Sequence, residues 1–228
     1  MKRGFPILAI ITALLLSFAL YEALIGAPTE RTMGDVQRIF YYHVPSAWTA
    51  FVLFLMNFVS SIIYLARRSI KADILALVSA EVGVVFCTVV IVTGPIWARP
   101  VWGIWWAPGD IRLTTTLVLW LIYISYLVLR RFSTSSQTPV IAAVVAIFGA
   151  LDVPLVYFSI WFFRTQHPSP VIGGGGSLDP RMAHVLLISW AAFMCLAWLL
   201  CWTRFRLEVL KREVEEAQAL ESLLEGSQ

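Results

Sequence analysis

The sequence has few charged residues for its length. Aspartate, glutamate, lysine and arginine make up 14% of the 228 residues, whereas hydrophobic residues make up 59% and the mean hydropathy is +0.79. A soluble domain of this size has roughly 25% charged residues, because its surface faces water. The composition therefore excludes an ordinary soluble protein, offers no basis for binding nucleic acid, and indicates a protein embedded in the lipid bilayer.

Cysteine is also scarce. Cys87, Cys195 and Cys201 all fall within apolar stretches, and no pair has the Cys-x-x-Cys spacing of redox or covalent haem-attachment motifs. Three scattered thiols do not form the cluster that a thiolate-bound metal requires. We interpret the three cysteines as small residues of the protein interior.

Motifs for covalent and nucleotide chemistry are missing from the sequence. It contains neither a glycine-rich phosphate loop nor a Ser-His-Asp set. We therefore expect a protein that is not an enzyme and that does not hydrolyse ATP itself.

Long apolar segments are abundant. A helix needs about 20 mostly apolar residues to cross a bilayer, and the alternation typical of membrane β-barrels is absent. The first segment resembles a signal peptide, but it lacks a convincing cleavage site and is interpreted as a retained helix. Six segments qualify as spans: residues 5–25, 46–66, 73–97, 113–129, 140–162 and 183–203.

The predicted fold is an all-α integral membrane protein with six transmembrane helices. Residues 1–206 are expected to form one membrane domain, and residues 207–228 a charged amphipathic tail helix in the cytoplasm. Alternate connections share a face, and the more basic face should be cytoplasmic, so both termini lie inside. The basic residues of that face are Lys2, Arg3, Arg67, Arg68, Lys71, Arg130, Arg131, Arg204, Arg206, Lys211 and Arg212.

A tryptophan-rich connection, residues 98–115, lies between the third and fourth spans on the predicted external face. Its indole rings could anchor the loop at the bilayer surface, or pack against a flat, hydrophobic and partly anionic ligand. The arginines of this face are either tolerated in short loops or converge on carboxylate or phosphate groups. They are Arg31, Arg38, Arg99, Arg112, Arg164 and Arg181.

Two of the three histidines flank this connection on the same predicted face. His43 precedes the second span and His167 follows the fifth, whereas His184 starts the sixth and is interpreted as structural. A single histidine at a helix end usually has a structural role. A pair on opposite sides of a planar macrocycle can instead hold haem iron. The spacing typical of a zinc site is missing.

At these residues the sequence resembles a known family. Trp102, Gly103, Trp105 and Trp106, followed by Asp110 and Arg112, resemble the "WWD" signature of the haem-handling membrane proteins of cytochrome c biogenesis. Residues 38–48 are similar to the first-histidine segment of the cytochrome c maturation protein C branch, also called haem exporter protein C. Further similar segments are residues 92–97, 152–159 and 161–167.

The resemblance implies a haem-handling protein of the cell inner membrane, with haem b as a transient, non-covalent cargo on the periplasmic side. It implies His43 and His167 as axial ligands of the haem iron. The expected partners are a membrane-anchored haem chaperone, a small single-span subunit and two subunits of an ATP-binding-cassette transporter. The implied haem platform consists of Trp102, Gly103, Trp105, Trp106, Asp110 and Arg112. Arg38 is a further candidate haem-binding residue, because its guanidinium could pair with a propionate.

The tryptophan motif departs from the family pattern. The family reads Trp-Trp-x-Trp-Asp, whereas here Pro108 and Gly109 separate Trp106 from Asp110 and predict a turn.

Three alternatives stay open: a haem-delivery subunit of a cytochrome c synthetase, a scaffold, and a permease that uses Glu81 and Asp152. Each of those carboxylates could serve a proton relay or a structural hydrogen bond.

Overall fold

A computed structural model describes residues 4–163, 165–168 and 178–225. Within these residues there are six long helices and no strand, which confirms the predicted all-α class with six potential membrane spans. A turn of π-helix, Glu22–Gly26, follows α1, and a 3-10 turn, Asp35–Ile39, precedes α2. The helices are α1 (Gly4–Tyr21), α2 (Phe40–Arg67), α3 (Ile70–Trp102), α4 (Ile111–Phe132), α5 (Thr138–Phe162) and α6 (Pro180–Glu225).

The helices extend beyond the apolar segments that predict them. α2 begins at Phe40, so His43 lies in its first turns and not before it, and α3 continues through Pro95 and Pro100 to Trp102. Hydropathy marks the part of a helix in contact with hydrocarbon, whereas backbone hydrogen bonding continues past it. The connection predicted at residues 98–115 is therefore shorter, from residue 103 to residue 110.

Local sequence explains where the short connection begins and ends. Gly103 has a φ of 76°, a left-handed conformation that glycine adopts without strain, and its N–H donates to the Arg99 carbonyl to close α3. Asp110 starts α4, because its side chain accepts a hydrogen bond from the N–H of Leu113. The connection is thus held at both ends by helix-capping contacts.

α6 is a single helix of 46 residues that includes the predicted tail. Its first part packs in the bundle, and residues 210–225 are mostly exposed.

Close helix contacts form the core of the bundle. A Cβ atom added to Gly83 of α3 would lie 2.7 Å from Phe54 Cε1 of α2, so only glycine allows this approach. The Phe54 ring stacks on Tyr123 of α4 with centroids 3.8 Å apart. Asn57 of α2 donates to the Ala76 carbonyl of α3 at 2.7 Å, which satisfies a buried amide. Large apolar side chains such as Leu14 and Phe148 remain exposed on the outside, as expected for a surface in lipid.

One end of the bundle, here called the charged end, carries a chain of ion pairs that joins α3, α4 and α6. Three carboxylates alternate with three guanidiniums, so the group as a whole is balanced in charge. Glu81, for which a proton relay was one interpretation, accepts two hydrogen bonds from Arg204 at 2.7 and 2.9 Å. The order of contacts is Glu81, Arg204, Glu208, Arg212, Asp73 and Arg130.

Candidate functional site

The opposite end of the bundle, here called the histidine end, brings His43 and His167 together. The two imidazole ring centroids are 6.3 Å apart and the ring planes are inclined by 32°. His43 is on α2, and His167 lies in the segment that follows α5. The tertiary fold therefore places two residues that are distant in sequence on one site.

The hydrogen bonds of His43 define which of its nitrogens is free. Its Nδ1 lies 2.9 Å from Thr93 Oγ1. The Thr93 hydroxyl already donates its only proton to the Val89 carbonyl at 2.6 Å, so it can only accept from His43. The proton of the neutral ring is therefore on Nδ1, and the lone pair of Nε2 remains available to a ligand.

His167 has the same arrangement. Its Nδ1 lies 3.0 Å from the Pro168 carbonyl, which cannot donate, so Nδ1 carries the proton and the lone pair of the neutral ring lies on Nε2. Burial and then the positive charge of Arg112 lower the pKa of His167 to about 4. The ring is therefore neutral at physiological pH, which is the form that coordinates a metal.

Both histidines line a cavity of about 620 Å³ between α2, α3, α4, α5 and α6. Trp102 and Trp106 are part of its wall, and Trp97 contacts Trp102 edge-on with centroids 5.2 Å apart. Trp48 and Trp190 form a second edge-on pair in the wall, with centroids 5.4 Å apart. The wall is mostly apolar and aromatic, which suits a flat hydrophobic molecule.

Arg112 supplies a positive charge to this cavity. It lies in the first turn of α4 and lines the wall, and its Nη1 is buried without a hydrogen-bond partner among the residues that the structure describes. A buried N–H group of a guanidinium without a hydrogen-bond partner is costly unless a ligand accepts from it. Arg112 is thus suited to meet an anionic group such as a carboxylate.

Three further residues that the sequence predicted at the site lie elsewhere. The Trp105 side chain is 59% exposed and Trp105 is not part of the cavity wall, while Gly103 caps α3. Arg38 donates to the carbonyls of Ala23 and Ala27 and to Thr29, and pairs with Asp35, so its guanidinium stabilises the corner between α1 and α2. Arg164, one of the arginines of the predicted external face, lies outside the described residues.

Asp110 is buried, and its carboxylate binds protein groups. In addition to the N–H of Leu113, it accepts hydrogen bonds from Thr165 Oγ1 at 2.6 Å and from the N–H of Gln166 at 2.8 Å. Burial raises the pKa of Asp110, but these hydrogen bonds outweigh it and hold the pKa below its ordinary value.

Several wall residues were not predicted individually as site residues. Trp97 belongs to residues 92–97 and Trp48 to residues 38–48, so the family resemblance is the only signal for them. Thr93, the partner of His43, also belongs to residues 92–97, but it is not part of the wall. Trp190 lies in the middle of an apolar span, where nothing in the sequence distinguishes it from a core residue. Neither Glu81 nor Asp152 lines the cavity.

Among the described residues, no group of three or more His, Cys, Asp and Glu side chains could hold a metal ion by itself. The fold and the site therefore define a class: a helical, multi-pass membrane protein with paired histidines in an aromatic cavity at one end of the bundle. The protein family described as "Heme exporter protein C" matches residues 1–220, and the chain belongs to that family.

Similar proteins occur in bacteria and in plant mitochondria. The chain is 34% identical over 223 residues to "Heme exporter protein C" of Bradyrhizobium diazoefficiens, covering 96% of this chain and 84% of the relative. It is 29% identical to the protein of the same name in Escherichia coli, over 96% of this chain and 89% of the relative. A "Putative cytochrome c biosynthesis ccmC-like mitochondrial protein" of Marchantia polymorpha is 30% identical over 80% of this chain and 78% of its own length.

Proposed function

We propose that this protein binds haem b non-covalently at the histidine end of the bundle and delivers it to a haem chaperone for cytochrome c maturation. In this proposal His43 and His167 are the axial ligands, and haem is a cargo that the site holds transiently. Membership of the haem exporter family supports the general role in haem export. The absence of a Cys-x-x-Cys-His motif from the sequence supports non-covalent binding.

The distance between the two imidazole rings is the main support for this proposal. Two imidazoles that bind one metal ion through nitrogen bonds of about 2 Å place their ring centres roughly 6 Å apart. The observed separation is 6.3 Å, and both rings have an Nε2 free to coordinate. The hydrogen bonds to Nδ1 would also hold the rings in orientation and increase their basicity as ligands.

The wall of the cavity suits the rest of the haem molecule. Trp102 and Trp106 would pack against the apolar macrocycle. Arg112 would pair with a propionate, because its buried Nη1 has no hydrogen-bond partner among the described residues. The residues of this chain would thus bind, orient and desolvate haem, and no covalent step is required of them.

The charge distribution supports an external, periplasmic histidine end. Arg67, Arg68, Lys71 and Arg131 lie at the opposite end of the bundle, and basic residues favour the cytoplasmic side. To test this orientation, Arg31→Cys at the histidine end and Ser136→Cys at the charged end would be treated in intact cells with a membrane-impermeant maleimide. We expect labelling of the Arg31→Cys variant alone, and labelling of Ser136→Cys alone would reverse the assigned orientation.

The energy for haem export would have to come from partner subunits. Because the sequence contains no phosphate-binding loop, ATP hydrolysis would require a separate ATPase. We propose assembly with an ATP-binding-cassette subunit, another membrane subunit of the same transporter and a small single-span protein. Delivery can be measured by mixing the haem-loaded complex with purified membrane-anchored chaperone and following haem on the chaperone. Absence of transfer in the presence of ATP and the complete complex would contradict the delivery role.

The binding role is tested by purifying the protein in detergent and recording its haem content and visible absorption spectrum. We expect co-purified haem with a low-spin, six-coordinate spectrum, because two imidazoles give a strong ligand field. The variants His43→Ala and His167→Ala should lose haem or shift to a high-spin spectrum. His184→Ala is a matched control, since His184 does not line the cavity. An unchanged spectrum in both site variants would refute the ligand assignment.

A further inference from the structure

We propose that Asp110 is a positioning residue. It fixes His167 and Arg112 in their positions relative to each other and does not contact haem itself. The inference rests on the proposed haem-binding function and concerns the aspartate of the tryptophan motif. It differs from the expectation drawn from the sequence, in which Asp110 belongs to the haem platform.

One oxygen of the Asp110 carboxylate connects it to the segment that carries His167. Asp110 is 4% exposed and is not among the residues that line the cavity. Its Oδ2 accepts from Thr165 Oγ1 and from the N–H of Gln166, and Thr165 Oγ1 in turn accepts from the N–H of His167 at 3.0 Å. A continuous set of hydrogen bonds therefore leads from Asp110 to the backbone of the second histidine.

The other oxygen of the Asp110 carboxylate connects it to the start of α4. Oδ1 accepts from the N–H of Leu113 and thereby caps α4. Arg112, which faces the cavity, lies in the first turn of this helix. One carboxylate thus connects the segment that carries an iron ligand to the helix start that carries the cationic wall residue.

The chemistry of the cavity argues against direct contact with haem. Haem propionates are anions, and a second carboxylate beside them would repel them. The Asp110 oxygens accept three strong hydrogen bonds from the protein, so they already have partners. Holding the ligand at the correct distance is the role these contacts support, since loosely supported ligands lose affinity.

Two substitutions separate the capping role from the positioning role. Asp110→Ser retains a short side chain that can cap α4, but it cannot also reach Thr165 and Gln166. Thr165→Val removes the hydroxyl that relays the contact to His167 and leaves the cap intact. Asp179→Ser is the matched control, because Asp179 accepts from the N–H of Arg181 at the start of α6 and makes no hydrogen bond or ion pair with residues 165–168 in the part of the chain that the structure describes.

The first measurement needs no haem. In the apo protein, hydrogen–deuterium exchange of a peptide covering residues 163–168 should rise several-fold in Asp110→Ser and in Thr165→Val. Exchange should stay at the wild-type rate in Asp179→Ser, and the first turn of α4 should stay protected in Thr165→Val. Unchanged exchange in both site variants would overturn the proposed contact, whether or not the protein binds haem.

The second measurement concerns the iron ligand. We expect Asp110→Ser to lower haem affinity by about 10- to 100-fold and to weaken the low-spin spectrum, with recovery of that spectrum on addition of free imidazole. The loss in Asp110→Ser should not add to that in His167→Ala, because both remove the same ligand. Raised exchange with an unchanged haem spectrum would overturn the positioning role, whereas a wild-type protein without haem would refute the proposed function instead.

Discussion

Thr93 Oγ1 accepts a hydrogen bond from His43 Nδ1 at 2.9 Å, and this contact determines which nitrogen of the ring is free. Thr93→Val removes the acceptor, leaves a buried N–H unpaired and allows the ring to change tautomer. We expect haem affinity to fall by about 10- to 100-fold, in the range found for partners of metal-bound histidines. Titration of the apo protein with haem, followed by difference absorption, measures the change.

Thr93→Ser is the control, because it preserves the hydroxyl acceptor. Its affinity should remain close to that of the wild-type protein. Equal affinities of all three proteins would show that the threonine does not orient the ligand.

Arg112 is expected to recognise a carboxylate and not the macrocycle. The substitution Arg112→Gln removes a charge-assisted hydrogen bond worth about 1.5–3 kcal/mol, which corresponds to roughly 10- to 150-fold in affinity. The dimethyl ester of haem lacks ionised propionates, so its binding should be insensitive to the same substitution. If Arg112→Gln weakened haem and the ester equally, the guanidinium would have another role.

The two adjacent tryptophans of the motif should differ in effect. Trp106 lines the cavity, whereas the side chain of Trp105 is 59% exposed and lies away from the cavity wall. We expect Trp106→Ala to reduce the haem retained on purification, because the macrocycle loses an aromatic contact. Trp105→Ala should retain haem as the wild type does, and the haem content per protein measures both. The reverse order of effects would contradict the position of the two rings.

At the charged end, Arg130 makes two hydrogen bonds, of 2.5 and 2.9 Å, with the buried carboxylate of Asp73. Asp73→Asn leaves the guanidinium of Arg130 without its charged partner and leaves Arg212 with Glu208 alone. Breaking such a buried pair typically lowers the free energy of unfolding by about 3–5 kcal/mol. Denaturant titration in detergent, followed by loss of helical signal, gives the change.

Arg131→Gln is the control for this prediction, since Arg131 is exposed beside Arg130 and forms no ion pair with any residue that the structure describes. The haem spectrum of folded Asp73→Asn should stay unchanged, because the substitution lies at the opposite end from the histidines. Equal stability of Asp73→Asn and the wild type would show that the ion pairs contribute little.

Most of the fold could be predicted from the sequence, and less of the site. His43 and His167 were recognised by residue type and by their position on one face, and the structure brings their rings together. Arg38 was assigned to the site for its charge and its neighbours in sequence, yet its guanidinium binds the carbonyls of Ala23 and Ala27. Sequence patterns identify groups that can bind an anion, but they do not reveal which of those groups the fold itself uses.

The sequence by itself determined that the chain forms six apolar helices, because the transfer of apolar side chains and hydrogen-bonded backbone into lipid depends on local composition alone. Only the tertiary structure decided what Asp110 and Glu81 do. Asp110 bonds to Thr165, 55 positions away, and Glu81 to Arg204, 123 positions away. Such contacts depend on side-chain direction and helix packing, which no local pattern encodes.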